Sequence, residues 1–152
     1  MLRLSHISAA FIALHCIASA GAFVSLPPGF TRFEAAVGLT SPHSPAIAAD
    51  GRLFVAQQNG VVRVCINGVL QPQPFIDLSD EVGDGGYRGM LGLALDPDFL
   101  TNRRVYMAYT VDPVFGPPDE NDDVPTFNRV VRFTGTAASN GSIADIATRT
   151  VL

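Results

Sequence analysis

The chain has 152 residues, room for one ordinary domain, with 14 acidic against 10 basic side chains and a net charge of −4. That balance, with no basic run to track a phosphate backbone, excludes nucleic acid as a partner. Two cysteines, Cys16 and Cys65, are too few for a disulfide-stapled scaffold, so stability has to come from packing.

In chain order, residues 1–22 read as a secretory signal peptide. Arg3 supplies the basic start, residues 7–17 an apolar run broken by Ser8 and His15, and Ala18-Ser19-Ala20 or Ala20-Gly21-Ala22 a cleavage site of small residues. The run is shorter than the roughly 20 apolar residues a spanning helix needs. His15 stands where a lipidated Cys16 would want a small residue, so neither kind of stable membrane anchor is expected. The product is a secreted protein, periplasmic or extracellular, with a mature region over 23–152.

Residues 23–40 form a lead-in in which Phe33, Ala35 and Val37 alternate as in a strand. Residues 44–49 predict a first strand, Asp50-Gly51 a turn, and 53–57 a second strand. Asn59-Gly60 then marks a hairpin into a third strand over 61–66. Cys65 lies in that strand and is expected to face a core. Asn67-Gly68 turns again, and residues 75–78 predict an outer fourth strand. Pro72 and Pro74 suit an edge, where a missing N–H costs little.

A glycine-rich loop, Gly83-Asp84-Gly85-Gly86-Tyr87-Arg88-Gly89, opens a second series. Strands are predicted over 90–95, 105–110 and 128–134. Asp96-Pro97-Asp98 turns between the first two, with proline fixing φ and the aspartates bonding back to turn N–H groups. Leu53 aligns with Val105, and Val61-Val62-Arg63-Val64 with Val130-Val131-Arg132-Phe133, once the segment 111–127 is set aside as an insertion. A strand-turn-strand-turn-strand unit written twice, at about 40–50 residues per unit, is the pattern of β-propeller blades. The fold class is therefore all-β, with no helical period after the signal. The chain carries the N-terminal blades of a propeller that is incomplete within it, since two units cannot close a ring of about four to eight. A small self-contained sandwich is the alternative, and by itself the piece is expected to be marginal or aggregation-prone.

Several of these segments together resemble the start of the glucose/sorbosone dehydrogenase family. They are Leu53-Phe54-Val55-Ala56-Gln57-Gln58-Asn59-Gly60, Pro74-Phe75-Ile76-Asp77-Leu78-Ser79, Arg88-Gly89-Met90-Leu91-Gly92-Leu93-Ala94, Asp96-Pro97-Asp98-Phe99 and Asn128-Arg129-Val130-Val131-Arg132-Phe133. The resemblance runs over 42–134 and implies a secreted six-bladed propeller. It further implies a quinoprotein oxidising aldose sugars with pyrroloquinoline quinone, often with calcium, and passing electrons to an external acceptor. By the same resemblance the catalytic histidine would follow Leu152, so no catalytic residue is assigned within these residues, and alone they are expected to be inactive. Most quinone and calcium ligands would come later still.

One quinone-contact position falls inside the chain. The resemblance puts it at Tyr87, where relatives carry glutamine or an acidic residue; Arg88-Gly89 matches the acidic group, and Tyr87 departs from both. Tyr87 and Arg88 are thus the candidate cofactor-binding residues. Tyr87 could stack on a quinone or merely fill its space. Arg88 could pair with a quinone carboxylate or brace its own loop through backbone carbonyls. In a propeller the loops entering the innermost strands and those joining the second and third strands share a face. That arrangement puts His43, the 84–88 loop and the acidic insertion on one rim. His43 reads as a proton-handling group or a plain rim residue. Asp119-Glu120-Asn121-Asp122-Asp123 reads as calcium ligands or a solvated acidic loop, and it lacks EF-hand spacing. Asp80, Glu81 and Asp84 carry the same two readings, and no metal site is assigned. The glycine loop opens a strand, not a helix, which argues against a dinucleotide cradle. Asn140-Gly141-Ser142 is a glycosylation sequon. The competing function is a non-catalytic extracellular propeller that recognises a partner, and behind it a structural β-domain with no small-molecule site.

Overall fold

The computed structural model describes residues 26–112 and 127–152. The signal segment 1–22 and the acidic insertion at 119–123 lie outside the described residues. Residues 26–33 belong to a separate small unit in which Phe30 N–H closes a turn on the Pro27 carbonyl at 3.2 Å. All that follows concerns the unit Glu34–Leu152.

Two antiparallel sheets make up this unit. The first contains β1 (Pro42–Ile47), β2 (Leu53–Gln57) and β3 (Val61–Ile66) in sequence order, with β4 (Val69–Leu70) and β5 (Ile76–Asp77) on the outer side of β3. The second runs β6 (Met90–Leu95), β7 (Arg104–Val111), β8 (Phe127–Gly135), β9 (Ala144–Val151). Each is the up-and-down meander expected of a blade. The hairpins form where the sequence puts its turn residues: Gly51 N–H bonds the Ala48 carbonyl at 2.9 Å, and Gly60 N–H bonds that of Gln57 at 3.1 Å.

Alternation sorts the side chains onto two faces. Phe54, Ala56, Val62 and Val64 of the first sheet meet Val105, Met107, Tyr109, Val131 and Phe133 of the second in one continuous buried core. Phe54 sits at its centre, edge-on to Phe75 (5.6 Å between ring centroids) and to Phe99 (5.3 Å). The inner strands β1 and β6 run beside each other, with Leu93 N–H 3.3 Å from Ser44 Oγ.

Several local expectations are corrected. The strand expected from Phe33, Ala35 and Val37 does not form. The chain from Glu34 onward instead crosses the outer face of the first sheet, and the Ala35 carbonyl takes the Cys65 thiol at 3.4 Å. Cys65 is accordingly buried, but on the face away from the inter-sheet core, because it alternates with Val62 and Val64. The outer strand is split. β4 pairs with Cys65 and Ile66, β5 pairs with Val61 and Val62, and Pro72 and Pro74 occupy the break where no ladder could run. The first strand starts earlier than expected, at Pro42, and a register shift between Pro42 and Ser44 throws His43 outward.

The domain is all-β as expected, apart from one helical turn. Asp96-Pro97-Asp98 leads into one helical turn, α1 (Phe99–Asn102), ended by Arg103 in the left-handed region at φ 56°. Only one aspartate of the turn bonds back. Asp96 accepts from Asp98 N–H (3.0 Å), Asn102 Nδ2 (2.7 Å) and Tyr106 Oη (2.9 Å), while Asp98 makes no side-chain cap.

Candidate functional site

The two ends of the sheets differ in construction. At one end Arg52, 6% exposed, fastens the β1–β2 turn to the loop before β9. Its guanidinium pairs with Asp50 at 2.8 Å, donates to the Asn140 carbonyl (2.6 Å) and Ser142 Oγ (3.0 Å), and lies 5.2 Å from the Phe99 ring. The Arg52 hydrogen bond holds the Asp50 carboxyl below its ordinary value. These groups satisfy one another, so this end is a fastening.

The other end gathers the entry to β1, the β2–β3 turn, the glycine loop and the end of β7. Gln57 Nε2 donates to the Thr40 carbonyl at 2.8 Å, and Gln58 N–H donates to that of Ser41 at 3.1 Å. The Gln58 side chain then reaches across to the second sheet. Its Nε2 lies 3.2, 3.0 and 3.1 Å from the carbonyl oxygens of Asp84, Gly86 and Arg88, so the glycine loop curls around one amide group. The Gln58 carbonyl accepts Met90 N–H at 2.9 Å. Gly89 has to be glycine here: its φ is +127°, and a Cβ would run into that same carbonyl oxygen.

Beneath the loop lies a charged cluster. Glu81 Oε1 accepts from Tyr109 Oη (2.7 Å), Arg149 (2.5 Å) and Arg129. Arg149 also reaches Tyr109 Oη at 3.0 Å. Burial pushes the Glu81 carboxyl up, but the bonds from Arg149 and Tyr109 outweigh it and leave the group below its ordinary value. Burial and the Glu81 bond push the Tyr109 hydroxyl up to about 12. The cluster fixes the loop stem: Asp112 N–H bonds the Glu81 carbonyl at 2.9 Å, and Gly83 N–H bonds that of Thr110 at 3.0 Å. Glu81 Oε1 is thus taken up within the cluster, and the side chain is not the solvated acid of an open loop.

Of the residues singled out from sequence, Tyr87 stands fully exposed at the crest of the loop. Arg88 is partly buried beside it. Its N–H closes a turn on the Gly85 carbonyl at 3.1 Å, and its Nε donates to the same oxygen at 3.2 Å, which is the bracing role. His43 is exposed at the same end of the sheets. Among the described residues, no three His, Cys, Asp or Glu side chains come together as a metal site. The sequence reading passed over Gln58 and undervalued Glu81. The polar pair Gln57-Gln58 closing an otherwise apolar strand was the available signal for the first. The crest offers an exposed phenol and aromatic face, with the braced Arg88 next to it in sequence.

The model of the glucose/sorbosone dehydrogenase family matches residues 39–144. Hedgehog-interacting protein of Mus musculus is 31% identical over 111 residues, 66% of this chain and 15% of that protein; the human protein is 29% identical over the same length. Among solved structures, an oxidoreductase described as a glucose dehydrogenase from Thermus thermophilus superposes with a TM-score of 0.55 at 28% identity, over 74% of this chain and 30% of that one. The quinone-bound aldose sugar dehydrogenase of Streptomyces coelicolor superposes with a TM-score of 0.53 at 21% identity, over 76% and 32%. The fold is that of these β-propeller enzymes, and the chain spans about a third of their length or less.

Proposed function

Since this chain belongs to the glucose/sorbosone dehydrogenase family, we propose that it forms the opening blades of a secreted quinoprotein that oxidises an aldose to its lactone. The observation that carries the reading is the rim loop: it lies within the family match, and Tyr87, which the resemblance puts at a quinone contact, stands fully exposed there next to Arg88. Pyrroloquinoline quinone, when bound, supplies the redox chemistry by taking the sugar's electrons. This chain's residues supply a surface. Tyr87 offers a ring and a hydroxyl to a flat ligand, Arg88 adds positive charge next to it, and His43 borders the same end. No catalytic base and no calcium ligand is assigned among them. Residues 1–22 act as the export signal, which agrees with an extracellular or periplasmic site of action and an external electron acceptor.

Isothermal titration of the natural protein that carries this chain, with pyrroloquinoline quinone and calcium, tests the reading. Saturable binding followed by sugar-dependent dye reduction is the expected result. Identity to the Hedgehog-interacting proteins favours a second reading, a propeller that recognises another protein without oxidising sugar. Absence of heat and of dye reduction would favour that one.

A further inference from the structure

We propose that Gln58 is the positioning residue of the rim, a side chain from the first sheet that sets the shape of the second sheet's ligand loop. The inference rests on the function proposed above only where it concerns ligand affinity.

Loop 83–89 is rich in glycine and has little shape of its own, and Gly86 and Gly89 both adopt positive φ. Three of its carbonyls, those of Asp84, Gly86 and Arg88, point inward at the single Nε2 of Gln58, within 3.0 to 3.2 Å. The loop backbone thus closes around the amide, while Tyr87 stands fully exposed. An amide fits this post because it brings N–H donors without charge. A carboxylate of the same shape would bring only acceptors and face three carbonyl oxygens. Gln58 holds the backbone of the loop that carries Tyr87 and Arg88, so it acts through those two residues.

The test compares the natural protein with Gln58→Glu and Gln58→Ala. Hydrogen exchange of the 84–90 amides is read first, because it needs no ligand. Both variants are expected to raise it about tenfold or more, the scale of losing one net hydrogen bond. Exchange in β7 and β8 is expected to stay as it was. Quinone affinity, read by titration, is expected to fall about tenfold in parallel, while Gln58→Asn recovers part of both effects. Unchanged loop exchange in Gln58→Glu would overturn the positioning role. A loosened loop with unchanged quinone affinity would overturn its link to ligand binding. If the unaltered protein binds no quinone, the proposed function fails, and loop exchange still decides the role of Gln58.

Discussion

At the scale of single residues, the site rests on a few groups that cannot be exchanged. Gly89→Ala would force a methyl into the Gln58 carbonyl at a backbone angle that L-residues avoid. The expected cost is about 3 kcal/mol or more, read as a lowered midpoint in urea. Glu81 gives a pH signature. Its folded-state carboxyl lies below the ordinary value of 4.5, so the stability it contributes is complete above that value and is lost as pH falls through the lowered one. Glu81→Gln is therefore expected to destabilise by about 1–3 kcal/mol near neutrality. The gap should narrow as pH falls below 4.5 and close only once pH has passed the lowered value, as urea titrations across pH would record. Neither residue's role was legible in the sequence. Gly89 reads there as one glycine among several, and Glu81 as one acid in a polar stretch, because the arginines that claim it, Arg129 and Arg149, come from strands far along the chain.

At the scale of elements, the sequence was most readable where local rules act alone. β2, β3 and β6 begin and end where alternation and the Asn-Gly and Asp-Gly turns put them. It was least readable where an element takes its form from something distant. The alternating lead-in is claimed by Cys65 instead of a strand partner, and the outer strand is divided by its prolines. The helical turn after Asp96-Pro97-Asp98 is sealed by Phe99 entering the core beside Phe54. Arg52 belongs to the same class: its partners Asn140 and Ser142 lie in the other sheet's last loop. Arg52→Ala is expected to cost about 2–3 kcal/mol through those bonds and the lost packing on Phe99. Hydrogen exchange at the opposite rim loop should not change, and that comparison separates the fastened end from the proposed binding end.

At the scale of the whole molecule, the two sheets repeat one plan, and one of their differences falls where ligand chemistry is proposed. The second repeat carries the long insertion between its second and third strands, and the first makes that connection with a tight Asn-Gly turn. Repetition explains why the architecture could be read from the turns and strands, while the site could not. The site is assembled across the repeat boundary, from the turn of one unit and the entry loop of the next. Gln58 is made on the ribosome some thirty residues before the loop it shapes is complete. The first sheet can form its own hairpins early, yet Asp84, Gly86 and Arg88 have nothing to close around until β6 has docked against β1. The crest, the proposed ligand surface, can thus take shape only once residues 84–90 have joined Gln58. It is also a built-in report that two successive units have found each other.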